Sequence, residues 1–243
     1  MKQTVSYLAA IAAFTMWGFG GSSANAATLI RDYEFQGNLN DSLGGPALVA
    51  NGGTVNSNNY TFNVAQSLSL INWVSAPGDD GNYTLDLSFM FTDFASSYQR
   101  IIDMKSPASD AGLYRNNGGV LRWYPEPGGP MGVYLLDAYY RIVLTRDGTS
   151  KLVAGYLDGV MQFSFTDSTD AAVFTGPNDI MTLFKDDGGE DGAGEINQFR
   201  IYSGAMTSLE VAALGGPKAI PEPSAALLGI LGLLGSCFRR VRR

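Results

Sequence analysis

The chain has 243 residues, 45% of them hydrophobic and 16% charged, with a formal net charge of −7. A chain so apolar and so poor in charge is not disordered, and it is long enough to bury one large core. It contains no histidine, which removes the usual general base, the imidazole metal ligand and every histidine-dependent triad. The single cysteine, Cys237, lies in a C-terminal apolar run, leaving the rest without disulfide, thiolate nucleophile or zinc cluster. Of the acidic residues only Glu222 falls outside residues 28–218, whereas Lys2, Arg239, Arg240, Arg242 and Arg243 all do. The central body is therefore strongly acidic and has no electrostatic footprint for a phosphate backbone, so a nucleic-acid partner is excluded.

Residues 1–27 have the form of a secretory signal. Lys2 gives a short positive start, Val5 to Phe19 is almost wholly apolar, and Ala24-Asn25-Ala26 satisfies the small-x-small cleavage rule at Ala24 and Ala26. Signal peptidase is the expected partner there, and the chain is expected to leave the cytoplasm. An uncleaved membrane anchor is the alternative, which the shortness of the apolar run disfavours.

From residue 28 to residue 216 short β-type runs alternate with Gly, Asn, Asp and Pro. Tyr83 to Phe91 places Tyr83, Leu85, Leu87, Phe89 and Phe91 on one face, the period-2 pattern of a half-buried strand. Tyr139 to Thr145 forms another run, ending at Arg146-Asp147-Gly148. Lys151 to Leu157 and Val160 to Phe165 flank Asp158-Gly159, a strong hairpin signal. Runs over Ile180–Phe184 and Glu195–Tyr202 follow. Thr207 to Leu214 alone looks helical, with Thr207 as cap and Glu210 three residues on. Many short strands and no long helix predict an all-β antiparallel sandwich over 28–216.

At the C-terminus Pro221-Glu222-Pro223 separates the body from the apolar run Ala225–Phe238, and arginines follow. That run would span roughly 21 Å as a helix, short of a hydrocarbon core of about 30 Å. The segment 217–243 closely resembles the PEP-CTERM sorting signal of Gram-negative bacteria: the Pro221, Glu222, Pro223 signature, an apolar helix, then Arg239, Arg240, Arg242 and Arg243. The resemblance implies processing by an exosortase, a transient inner-membrane anchor, and delivery to the cell surface or extracellular matrix. A permanent single-pass anchor would also leave the body outside the cytoplasm.

The body resembles the LamG-like, concanavalin A-like jelly rolls in three patches. Asp32 to Ser42 is similar to their opening strand and turn. Tyr140 to Gly148 with Tyr156-Leu157-Asp158-Gly159 is similar to their central hairpin, and Gly194 to Thr207 with Glu210-Val211 to their closing strand and helical turn. The stretch from Ser97 to Pro130 has no counterpart.

Two loops are candidate sites. Trp123-Tyr124 before the Gly/Pro-rich loop 125–130 would offer an aromatic platform to sugar rings, with Arg115, Asn116 and Asn117 as hydrogen-bond partners. The other reading of Trp123 is a core residue. The densest acidic cluster, Asp186, Asp187, Glu190 and Asp191 among glycines, is either a Ca²⁺ site or a solvated acidic turn. No Glu-x-Asp-x-x-Glu run of the related β-glucanases is present, so no catalytic residue is assigned. The expectation is thus an exported surface or matrix protein whose jelly roll binds extracellular polysaccharide without catalysis. Its alternatives are a purely structural or protein-adhesive surface protein and a glycan hydrolase.

Overall fold

The computed structural model describes residues 27–71, 80–93, 96–105, 109–174 and 180–219. The signal segment with Ala24 and Ala26, and the sorting segment from residue 220 with Pro221, Glu222, Pro223 and the four arginines, lie outside the described residues. Two antiparallel sheets stack face to face. The first part of the chain contributes β1 (Thr28–Tyr33), β2 (Val49–Asn51), β3 (Thr54–Val55), β4 (Tyr60–Phe62), β5 (Ser67–Leu70) and β6 (Tyr83–Phe91). There follow β7 (Tyr98–Asp103), β8 (Gly112–Asn116), β9 (Leu121–Tyr124), β10 (Tyr140–Arg146), β11 (Leu152–Leu157) and β12 (Val160–Thr166). The last elements are β13 (Met181–Leu183), β14 (Gly194–Ser203) and the helix α1 (Ser208–Leu214).

The larger sheet runs β12-β11-β10-β6-β14-β4-β3, and β1 pairs with β14 beyond the end of β4. The smaller runs β2-β5-β13-β7-β8-β9. The period-2 face of β6 points where the sequence places it: Tyr83, Leu85, Leu87, Phe89 and Phe91 are all buried between the sheets. Phe62, Phe89, Phe91, Tyr134 and Phe184 interlock there, Phe62 and Phe184 stacking at 4.0 Å. The expected hairpin joins β11 to β12 at Asp158-Gly159, both with positive φ, the backbone that a two-residue hairpin turn demands. Two bulges reverse the side-chain phase of their strands. β14 shifts register between Ile196 and Gln198, and β7 between Arg100 and Ile102.

The outer face of the larger sheet is covered. α1 is closed by the expected capping box, Thr207 and Glu210 bonding each other's backbone N–H, and its Val211 packs on Val143, Ala154 and Tyr156. The chain then crosses β6 and β14. Lys218 N donates to Ser88 Oγ at 3.0 Å, Asn197 Nδ2 donates to the Lys218 carbonyl at 3.2 Å, and Lys218 Nζ donates to the carbonyls of Glu34 and Asn197. Beneath this strap lies a buried charge set. Asp86 Oδ1 stands 3.4 Å from Arg141 Nε, out of hydrogen-bond alignment, and neither Asp86 oxygen has a hydrogen bond. Burial pushes the Asp86 carboxyl up to about 6 despite Arg141 and Arg200.

Candidate functional site: a tyrosine-lined acidic pocket

β7, β8 and β9 carry large polar side chains on the outer face of the smaller sheet. Tyr98 opens β7, Tyr114 lies mid-β8 and Tyr124 closes β9. Their rings stand nearly perpendicular, Tyr98 to Tyr114 at 5.9 Å, Tyr98 to Tyr124 at 6.2 Å and Tyr114 to Tyr124 at 6.4 Å. The Arg122 guanidinium sits over both Tyr98 and Tyr124, within 6 Å of each ring centroid, and so stiffens the group. The loop between β13 and β14 folds over these rings. The result is a pocket of about 260 Å³ lined by Tyr98, Tyr124, Asp110, Asp186, Asp187, Gly188 and Glu190.

Arg100 anchors that loop. Its guanidinium pairs with Asp103 and lies 2.6 Å from Asp186 Oδ1, while its backbone N–H donates to the Glu190 carbonyl at 2.8 Å. Asp186 also accepts from Tyr114 Oη at 3.1 Å and from Gly188 N at 2.9 Å. Burial raises the Asp186 carboxyl, but the Gly188 N–H and the Arg100 charge outweigh it and hold it below the usual range. Glu190 moves the other way. Burial raises it, and the charges of Asp186, Asp110 and Asp187 raise it further. The pocket therefore carries a negative potential that its own cations do not cancel.

The two loops singled out from the sequence thus meet in part. Tyr124 faces the same pocket as Asp186, Asp187 and Glu190. Trp123 does not: it is fully buried against Phe165 between the sheets, so it is a core residue with no face for a ligand. The reason is strand alternation, because adjacent residues of β9 point to opposite faces. Asn116 is spent on its own turn, its Oδ1 accepting from Gly118 N and Val120 N. Arg115 and Asn117 line a separate cavity.

The acidic loop does not fit Ca²⁺. Asp191 Oδ1 accepts from Asp186 N at 2.6 Å and its Oδ2 pairs with Lys185 at 2.9 Å, while Asp186 is committed to Arg100 and Tyr114. Among the described residues no three acidic, histidine or cysteine side chains are grouped to hold a metal ion. Tyr98 and Asp110 belong to the pocket and escaped the sequence reading, since each is separated from the acidic loop by more than seventy residues. The signal that could have found Tyr98 is its place in Tyr98-x-Arg100, which the register sets opposite Tyr114 and its neighbours.

Residues 49–212 match the laminin G-like family model described as the concanavalin A-like lectin/glucanases superfamily. The chain belongs to this superfamily. No curated protein matches it. Among solved structures, domain 4 of AbnA, an extracellular GH43 arabinanase from Geobacillus stearothermophilus in complex with arabinotriose, superposes with a TM-score of 0.56 at 20% identity. That match covers 78% of this chain and 99% of that one. Trypanosoma rangeli sialidase in complex with the inhibitor DANA gives a TM-score of 0.60 at 16% identity, covering 80% of this chain and 33% of the sialidase. The binding domain of botulinum neurotoxin serotype D gives 0.52 at 12% identity, covering 77% of this chain and 51% of that one. At these identities the likeness is one of fold, and the chain spans about a third of the sialidase. The arabinanase and sialidase likenesses overturn the expectation of a matrix protein that simply binds extracellular polysaccharide. Two of these matches, the arabinanase domain and part of the sialidase, come from glycan-cleaving enzymes.

Proposed function

We propose that the chain has a glycan-related function tied to glycan processing, and that the pocket between Tyr98, Tyr124 and the Asp186–Glu190 turn is where a short saccharide is met. One observation carries this reading: aromatic faces and carboxylates are brought into one pocket from three separate parts of the chain. Sugar rings present an apolar C–H face and a rim of hydroxyl donors, and this lining answers both. At about 260 Å³ the pocket falls just below the range of about 300–1,000 Å³ that holds drug-sized ligands, which suits a short segment. The arabinotriose complex of the similar arabinanase domain supports the same size of ligand.

A second reading, hydrolysis, has one observation in its favour. Glu190, pushed up by burial and by the charges of Asp186, Asp110 and Asp187, lines the pocket with those carboxylates, and glycosidases set a raised carboxyl as general acid opposite a second carboxylate. Titration of the full chain with arabinotriose and other neutral oligosaccharides, together with a reducing-end assay, tests both. Binding heat that Tyr124→Ala removes supports the pocket as the place where the saccharide is met. New reducing ends that Glu190→Gln abolishes select the second. Neither heat nor product with any saccharide overturns the reading.

For the chain ends the proposal rests on sequence. Signal peptidase cleaves after Ala26, and an exosortase acts on the Pro221-Glu222-Pro223 segment, placing residues 28–216 at the cell surface. Intact mass of the protein recovered from cells tests this, and a mass that retains both ends overturns it.

A further inference from the structure

We propose that the saccharide met by the tyrosine-lined pocket is a cationic one, an amino sugar whose nitrogen is free and protonated. The inference rests on the saccharide reading of that pocket and adds the class of sugar. Two kinds of surface wall the pocket: the rings of Tyr98 and Tyr124, and the carboxylates of Asp110, Asp186, Asp187 and Glu190. No lysine or arginine lines it.

The cations around the pocket are already committed. Arg100 pairs with Asp103 and Asp186, and Lys185 pairs with Asp191 at 2.9 Å. Arg122 lies over Tyr98 and Tyr124 and sends its donors to Tyr98 Oη and to the carbonyls of Pro125 and Glu126. What remains uncompensated is Asp110, Asp187 and Glu190. Among the described residues no hydrogen bond or ion pair engages the Asp110 or Glu190 carboxylate, and Asp110 and Asp187 are exposed. Burial raises the Glu190 carboxyl, the charges of Asp186, Asp110 and Asp187 raise it further, and Arg100 alone opposes them.

An ionised carboxylate accepts hydrogen bonds and donates none. The Gly188 N–H, a backbone donor of the lining, is spent on Asp186 Oδ2 at 2.9 Å, so the pocket is rich in acceptors and short of donors. A protonated amine supplies both what is missing, N–H donors and positive charge, and charge-assisted bonds are about twice as strong as neutral ones. A neutral sugar brings hydroxyls without the charge, and a uronate is repelled. The rings take the C–H face as they would for any sugar. Rings alone would not select an amine, and carboxylates alone would not select a sugar.

The test is calorimetric titration of the full chain with the trimer of glucosamine, its N-acetylated counterpart, arabinotriose and trilysine. The glucosamine trimer should bind at least about tenfold more tightly than the N-acetylated trimer, which keeps the ring and loses the charge. That margin should shrink as salt is raised from about 0.01 M to about 0.15 M, because exposed carboxylates are screened. Asp110→Asn combined with Asp187→Asn alters two exposed positions outside the core. It should weaken the glucosamine trimer about tenfold and leave the neutral trimers unchanged. Arabinotriose or the N-acetylated trimer bound as tightly as the glucosamine trimer overturns this inference and leaves the pocket reading standing. No heat with any trisaccharide removes both. Trilysine bound as tightly as the glucosamine trimer, a margin indifferent to salt, or indifference to the double substitution also overturns the proposal.

Discussion

Arg100 Nε lies 2.6 Å from Asp186 Oδ1, and the two side chains are almost wholly sealed from water. This contact joins β7 to the loop that roofs the pocket, so fold stability and pocket shape depend on the same guanidinium. A buried pair contributes little net stability while intact, yet losing one partner strands the other charge.

Arg100→Met should therefore cost about 3–5 kcal/mol, since it strands both Asp103 and Asp186. Urea unfolding measures the loss. A cost under about 1 kcal/mol would show that water reaches these carboxylates.

Trp123 and Tyr124 are neighbours in sequence with opposite expected phenotypes. Trp123→Ala empties a fully buried site and should cost about 3–5 kcal/mol. Tyr124→Ala, at a position 38% exposed, should leave the melting temperature nearly unchanged while lowering saccharide affinity about tenfold. Parallel melts and titrations of the two variants check this.

Asp86 should make the protein less stable as pH rises from about 4 to about 6. Its folded pKa, about 6, exceeds the ordinary value of 3.8, so in that window the folded state holds a proton that the unfolded state has released. Stability from this group is present below the window and is lost through it, by an amount on the order of 3 kcal/mol. Asp86→Asn removes the term. The stability of that variant relative to the native chain should rise across the window and stay level above it, as denaturant curves at several pH values would record.

Thr207→Ala deletes the cap of α1 and should cost about 1 kcal/mol, which urea unfolding resolves. A loss confined to the α1 amides in hydrogen exchange would show that the helix opens alone.

What the sequence made legible was local. The alternation of Tyr83–Phe91, the Asp158-Gly159 turn and the Thr207/Glu210 box each state their structure within a few residues, and each occurs as read. The smaller sheet was opaque between Ser97 and Pro130 for two physical reasons. The bulge after Arg100 puts Ile101 and Ile102 on successive positions that are both buried, breaking the period of two. Gln99, Arg100, Asp103 and Arg115 are buried as well, so polarity no longer marks the outward face. The pocket was half legible for the same reason. Tyr124 and the acidic loop were visible as types, but their meeting depends on the order β13-β7-β8-β9, which no short window contains. Trp123 was ambiguous because phase within β9 decides its face, and four residues are too few to set it.

The strap from Leu214 to Lys218 gives the domain a mechanical axis. Pull on the C-terminal end reaches Ser88 on β6 and Asn197 on β14 before any other strand. Pull on the N-terminal end reaches β14 through the antiparallel β1 ladder. Both loads enter the larger sheet next to its long central pair, where the many β6–β14 hydrogen bonds share the strain. The loop that roofs the tyrosine pocket runs straight into β14, so load carried by that strand is delivered to the pocket's acidic turn.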